Sequence, residues 1–521
     1  MPSLLRGSSK PSLLNFFHAK ISYSLALLLV FSLAIRLLWL GEPALLGDEA
    51  YYYDWSQRVP FELSFYDHPP MVAYVIKLSV AIFGASSFGV RALNALLSTA
   101  SIYLVYAFAR YAFRDEKAAL LSAFVTAIST PHLICSRLAL MENLVLVELL
   151  LMSLCFFKYY KEGAEKYLVL SGLLFGASVL TKYNLLVAPL GLASFLALKK
   201  KLPPKRTLAK AALAALVLSA VVVAWNAFHG WSSAAFQYEH WASAYASGAS
   251  TLKLAELAEV PLAVFSPFLL ALIAAGTFYA LFKARSEAVE YLLFVILPFA
   301  LFFAPTLAEH PHWAYPAFFA LALISGWGLA EASRKRRILA VAFVALLALS
   351  SASTIATLHQ LSTLSSCGFS PKVVGEFSYA LRVSQAMVRD LEAVLDEWRP
   401  DAILTCYRVP YSLVRYYFDD YRERVFTYHY DYQAGVLWRS DLAYMPKNCS
   451  KLAVLVFLDY FVDINETVLE REVAMLRYRL NSELGLEIAY YGVLSSNTNF
   501  FDEKGRPYAI LAASLIKLGE R

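Results

Sequence analysis

Asp48 and Glu49 are adjacent carboxylates in the stretch GDEAYYYDWSQ, a few residues beyond the first strongly apolar segment of the chain. A positioned carboxylate can take the proton from an attacking hydroxyl. Other reactive groups recur at the ends of later apolar segments: Asp67 and His68, Arg137 and Glu142, Lys182, and Glu309, His310 and His312 in PTLAEHPHWAYP. Arg36 lies one turn before the end of the first segment. Charged groups near bilayer depth are costly unless paired, hydrated or snorkelled, so this gathering calls for a reason. Cations there could hold a phosphate that leaves as charge develops on it. Carboxylates and cations in one cavity would suit transfer from an anionic lipid carrier, with no nucleotide site. The same carboxylates could hold a divalent metal.

These groups need a membrane scaffold to share a face. The chain is 59% hydrophobic and 17% charged, with a net charge of +6, which indicates a polytopic membrane protein. The first segment, Ile21 to Leu40, is long enough to span as a helix of about 20 residues. Apolar runs predict spans near 21–40, 88–109, 118–134, 143–157, 167–181, 184–198, 208–228, 260–282, 291–308, 313–330 and 338–356, about eleven in all. Arg6, Lys10 and Lys20 precede the first span. Later cations cluster at alternate turns: Arg110 to Lys117, Lys158 to Lys166, Lys199 to Arg206, Lys283 with Arg285, and Arg334 to Arg337. The positive-inside rule then puts the N-terminus in the cytoplasm and, with an odd span count, the C-terminal region outside. Asp48 emerges on the outer face beside Tyr51, Tyr52, Tyr53 and Trp55, residue types that favour the interface. Pro69 and Pro70 suit a helix start. Met71, Val72, Val75, Leu78 and Ile82 follow helical spacing and predict a helix lying flat in the interface.

From about Leu358 apolar runs shorten and charge rises, which predicts a membrane part over 1–357 and an extracytoplasmic α/β domain over 358–521. Strands are expected at Ala402–Val409, Val425–Tyr430, Leu452–Leu458, Leu486–Val493 and Tyr508–Leu515. Helices are expected at Lys372–Trp398, Tyr411–Phe418 and Asn465–Leu484. Sequons at Asn448 and Asn465 agree with an outside location. Cys135 and Cys155 read as packing residues, whereas Cys367, Cys406 and Cys449 permit one disulfide and leave an odd thiol. Nothing in the sequence indicates nucleotide or nucleic-acid binding.

The Asp-Glu pair, the stretch YDHPP and the run FGASSFGVRALNAL resemble the GT-C membrane glycosyltransferases. The nearest groups are the lipid A aminoarabinose transferase, the RgtA/B/C/D-like enzymes and the protein O-mannosyltransferases. GLLFGASVLTKYNLLVAP, HPHWAYPAFFALA and YDYQAGVLWRSD are similar to later landmarks of the group. The resemblance implies transfer of a sugar, with inversion, from a dolichyl- or undecaprenyl-type phosphate donor on the outer membrane face. The acceptor would be a lipid, a glycan or a protein. It implies Asp48 as the catalytic base with Glu49 in support. Asp67 and His68 match an EKP-like stretch, Glu142 falls where relatives often have aspartate, and Lys182 is implied as the phosphate ligand. Arg137, His310 and His312 complete the expected substrate-binding set. The absence of a WWDYG-like motif argues against an oligosaccharyltransferase.

A membrane transporter or lipid flippase is the alternative, since that class also places charges in apolar helices. Its usual paired halves with interrupted helices and midplane charges are not evident here. A scaffold working through its α/β domain would leave the carboxylate-rich first loop without a task.

Overall fold

The computed structural model describes residues 22–517 apart from 252–253, 308–309, 366–367, 369, 407, 429–441, 458–463 and 496–507. Arg6, Lys10, Lys20, Glu309, Cys367 and all of YDYQAGVLWRSD lie outside the described residues.

Each expected span holds a helix, but only six are long and apolar enough to cross a bilayer among the described residues. These are Ser87–Phe113, Glu142–Glu162, Lys205–Phe228, Glu287–Thr306, Tyr315–Lys335 and Arg337–Thr363. At the other expected spans the helix is shorter or the apolar run is interrupted. Glu116–Ala127 and Thr130–Arg137 meet at a 59° bend, where Pro131 opens the second helix. The run near 260–282 is broken into Leu254–Val264 and Pro267–Phe282, and the chain turns at Thr181 and Lys182 between Glu165–Val179 and Tyr183–Leu198. Proline removes a backbone donor and clashes with the preceding turn, so an apolar run is not always one helix. The first helix, Tyr23–Leu37, is also short. Leu208, Leu213, Leu216, Ile338, Val341 and Val344 are exposed apolar residues on the two long peripheral helices, as lipid contact requires. Toward the centre, Gly276 and Gly328 let Pro267–Phe282 and Phe318–Lys335 touch, since a Cβ on Gly328 would collide with the Gly276 carbonyl.

Two short helices follow the first: Gly47–Arg58 and Met71–Phe83. Met71–Phe83, with 13 residues, reaches about 20 Å and cannot cross a hydrocarbon core of about 30 Å. It buries Val72, Ala73 and Ile76 and exposes Tyr74, Leu78 and Ile82, the two faces expected of an interfacial helix. Its first N–H, on Met71, donates to the Leu180 carbonyl at 2.9 Å.

The last long apolar helix runs to Thr363, and an α/β unit follows from Lys372. Its strands are β1 (Ala402–Thr405), β2 (Val425–Thr427), β3 (Lys451–Val456), β4 (Leu486–Ser495) and β5 (Ala509–Lys517). The sheet order is β2-β1-β3-β5-β4. β1 runs parallel to β2 and β3, with Ala402 opposite Leu452, while β5 is antiparallel to β3 and β4. β1 is buried at every position, which is why it reads as a continuous apolar run instead of an alternating one. Among the described residues Cys406 and Cys449 are not joined by a disulfide. Asn465 caps Glu466–Arg479 by accepting from the Val468 N–H at 3.0 Å.

Candidate active site

Gly47–Arg58 carries the two adjacent carboxylates to opposite fates. Successive helical positions point about 100° apart, and here that turn sends one carboxylate into the interior and the other to the cavity wall. Glu49 is fully buried. Arg91 Nε and Nη2 donate to its two oxygens at 2.8 and 2.6 Å. The N–H groups of Ala139 and Leu46 add bonds of 2.7 and 2.8 Å. Arg91 also donates to the carbonyls of Leu40, Pro43 and Ala44. This charge pair ties together the end of the first helix, the helix Ser87–Phe113 and the turn before Glu142. Asp48 is partly exposed and lines the cavity. It sits in the first helical turn, where the helix dipole favours a negative charge.

The cavity measures about 1520 Å³. Asp48, Asp67, His68, Glu142, Lys182, His310 and His312 all line it, although they are spread from the first loop to the turn before Tyr315. Glu49 and Arg137 are not on its wall. Of the expected site residues, these two are placed elsewhere: Glu49 is bonded to Arg91 in the interior, and Arg137 lies against the end of the first helix. Arg137 donates to the carbonyls of Leu38 and Trp39 at 2.7 and 3.1 Å, supplying partners that a helix C-terminus lacks. Arg36 is likewise internal, donating to Ser98 Oγ at 3.0 Å and the Ser32 carbonyl at 3.1 Å.

Inside the cavity, carboxylates and cations are matched. Lys182 Nζ donates to Glu142 Oε1 at 2.8 Å. Arg408 forms an ion pair with Asp67, whose other oxygen accepts from the Tyr51 hydroxyl at 2.9 Å. The Gln237 amide donates to the Asp67 carbonyl. His68 is held well below the usual imidazole range, first by burial and then by the charges of Lys182 and Arg408, so it is neutral at pH 7. His310 stacks on Trp313 with centroids 4.5 Å apart, and His240 packs beside them at 5.2 Å from His310. Much of the remaining wall is apolar, with Pro261, Val264, Phe265, Ile296, Phe299 and Leu321, and Glu239 and Glu376 also line it. Among the described residues no three His, Cys, Asp or Glu side chains converge to hold a metal ion. Of the carboxylates on the wall, Asp67 pairs with Arg408 and Glu142 with Lys182.

Sequence reading missed Arg408, Gln237, His240 and Arg91. Arg91 stands within the FGASSFGVRALNAL run, where its place in a recurrent motif was the available signal. Arg408 opens an amphipathic helix in the α/β unit, with no local feature to separate it from a surface arginine.

The dolichyl-phosphate-mannose-protein mannosyltransferase family matches residues 67–225. The structure is similar to that of ArnT from Cupriavidus metallidurans bound to undecaprenyl phosphate, at 13% identity and a TM-score of 0.62. That match covers 94% of this chain and 97% of the other. The apo form of the same protein matches at 12% identity and 0.60, with the same coverage. No curated protein matches the sequence. At such identities structural likeness establishes the fold. The chain has the GT-C fold and matches a glycosyltransferase family over residues 67–225.

Proposed function

We propose that this enzyme transfers a sugar, with inversion, from a polyprenyl phosphate to a hydroxyl on a lipid, glycan or protein acceptor. The observation that carries the reading is the composition of one cavity: a partly exposed carboxylate, Asp48, shares its wall with the paired cations Lys182 and Arg408 and with a broad apolar surface. In this reading the apolar wall takes the polyprenyl chain and Lys182 takes the donor phosphate. The acceptor oxygen attacks the anomeric carbon from the face opposite the phosphate. As the new C–O bond forms, the bond from the anomeric carbon to the phosphate oxygen breaks, and that oxygen keeps the electron pair. Asp48 accepts the hydroxyl proton. Negative charge grows on the departing phosphate, where a fixed cation stabilises the transition state more than the ground state. The ArnT structure with undecaprenyl phosphate supports this donor class by its fold and bound ligand.

The test is incubation of the purified protein with polyprenyl-phosphate sugars extracted from native membranes. Loss of sugar from the lipid, with inverted configuration in the product by NMR, is the expected result. A donor pool left intact with every acceptor class supplied would overturn the reading.

Lys182→Met is expected to weaken donor binding, but alone it would strand Glu142, which is largely buried. The informative variant is Lys182→Met with Glu142→Gln, which removes both charges together. We expect it to remain folded while binding undecaprenyl phosphate about tenfold or more weakly, the scale of a hydrogen bond to a charged group. Equal affinity would assign the pair a structural role.

The distribution of cationic turns supports an outside location for the α/β unit. Lys447 is exposed on it. Lys447→Cys should react with an impermeant maleimide in intact cells, with the native protein as control. Protection until lysis would reverse the orientation.

A further inference from the structure

We infer that Arg408 is a second ligand of the donor phosphate, so that the C-terminal α/β unit completes an active site otherwise built by the membrane part. This rests on the polyprenyl-phosphate chemistry proposed above.

Arg408 begins the helix Arg408–Tyr417, just beyond the carboxyl end of strand β1. It reaches the cavity that Lys182 lines. There it pairs with Asp67, and its guanidinium lies over the Tyr51 ring, 4.9 Å from the centroid. Its own helix is braced independently. Arg415 Nε donates to Asp54 Oδ1 at 2.8 Å, and Asp54 is buried. Tyr416 meets Tyr53 edge-on with centroids 4.8 Å apart, and the Leu45 N–H donates to the Tyr417 hydroxyl at 2.7 Å. These contacts already join Arg408–Tyr417 to Gly47–Arg58. An ion pair placed on the cavity wall adds little to that join, whereas it fixes a cation where an anion would enter.

His68 supports the same location. Its Nδ1 is buried in the cavity wall without a hydrogen-bond partner. The charges of both Lys182 and Arg408 act on its ring, so it sits within reach of the two cations. A buried polar atom left unsatisfied is costly, and a ligand oxygen or hydroxyl would satisfy it. A guanidinium presents five donors in a planar fork and can bridge two acceptors, so Asp67 can orient Arg408 while a phosphate oxygen takes another edge. Lys182 on the membrane side and Arg408 on the α/β side would then hold the phosphate from two directions. Asp67 is in this view a positioning residue.

The experiment compares binding of undecaprenyl phosphate and of undecaprenol to the full-length protein in nanodiscs, with thermal melting measured on the same samples. Arg408→Gln is expected to weaken undecaprenyl phosphate about tenfold to a hundredfold, as for one hydrogen bond to a charged group, and to leave undecaprenol unchanged. Arg415→Gln should lower the melting temperature and retain phosphate affinity. If Arg408→Gln melts early, Arg408→Lys carries the test, and an affinity between those of wild type and Lys182→Met/Glu142→Gln is expected. Wild-type affinity in the Arg408 variants would overturn the inference and leave the proposed donor class standing. Equal weakening by Arg415→Gln would also overturn it, by showing that docking of the α/β unit is what matters. A wild-type protein with no preference for the phosphate over the alcohol would instead remove the donor class itself, and the inference with it.

Discussion

Replacement of Asp48 by asparagine is expected to cut sugar transfer at least about a hundredfold while leaving melting temperature and donor affinity near wild type. A positioned general base typically contributes about 10² to 10⁴-fold, and asparagine preserves size while removing basicity. Asp48 is partly exposed on the cavity wall, so the substitution falls at the edge of the cavity and not in the closed interior. Loss confined to the chemical step would appear as an equal fall in kcat and kcat/KM. Near wild-type transfer by Asp48→Asn would pass the role of base to Asp67 or Glu142, the other predicted carboxylates on the same wall.

The neighbouring substitution should behave in the opposite way. Glu49→Gln is expected to destabilise the protein strongly, because it leaves the buried Arg91 guanidinium without its counter-charge. Removing one partner of a buried ion pair costs about 3–5 kcal/mol. Low expression and a depressed melting temperature in detergent should therefore precede any kinetic effect. Arg91→Met should do likewise. The double variant Glu49→Leu/Arg91→Met should recover part of the loss, since a well-packed apolar pair can replace a buried salt bridge at little net cost. A Glu49→Gln protein that melts like wild type yet fails to transfer sugar would return Glu49 to the chemistry.

Local pattern carried much of the architecture. The apolar runs marked where helices form because helical burial in lipid depends on composition over about 20 residues, which is a local property. The five short apolar stretches after Leu358 became the five strands for the same reason. Local pattern failed where one residue breaks a run: Pro131 and Pro267 start new helices inside stretches whose apolarity reads as continuous.

The candidate site divides along the same line. Charges at the ends of apolar segments were legible as a group, because an ionisable residue at that depth stands out against its neighbours. Asp48, Asp67, His68, Glu142 and Lys182 do meet in one cavity. Their individual tasks were not legible. Asp48 and Glu49 are equivalent in type and adjacent in sequence. What separates them is that Arg91 and the Ala139 N–H, from two other segments, converge on one and not on the other. Arg137 had the composition of a phosphate ligand, yet the nearby end of the first helix offered it carbonyls. Arg408 reaches Asp67 across 341 residues of chain. Composition and periodicity determined by themselves that a membrane bundle with an acid-lined outer loop would form. Only the packing of distant helices decided which charges neutralise one another and which face the substrate, because Coulomb and hydrogen-bond energies act over a few ångströms of space and take no account of separation along the chain.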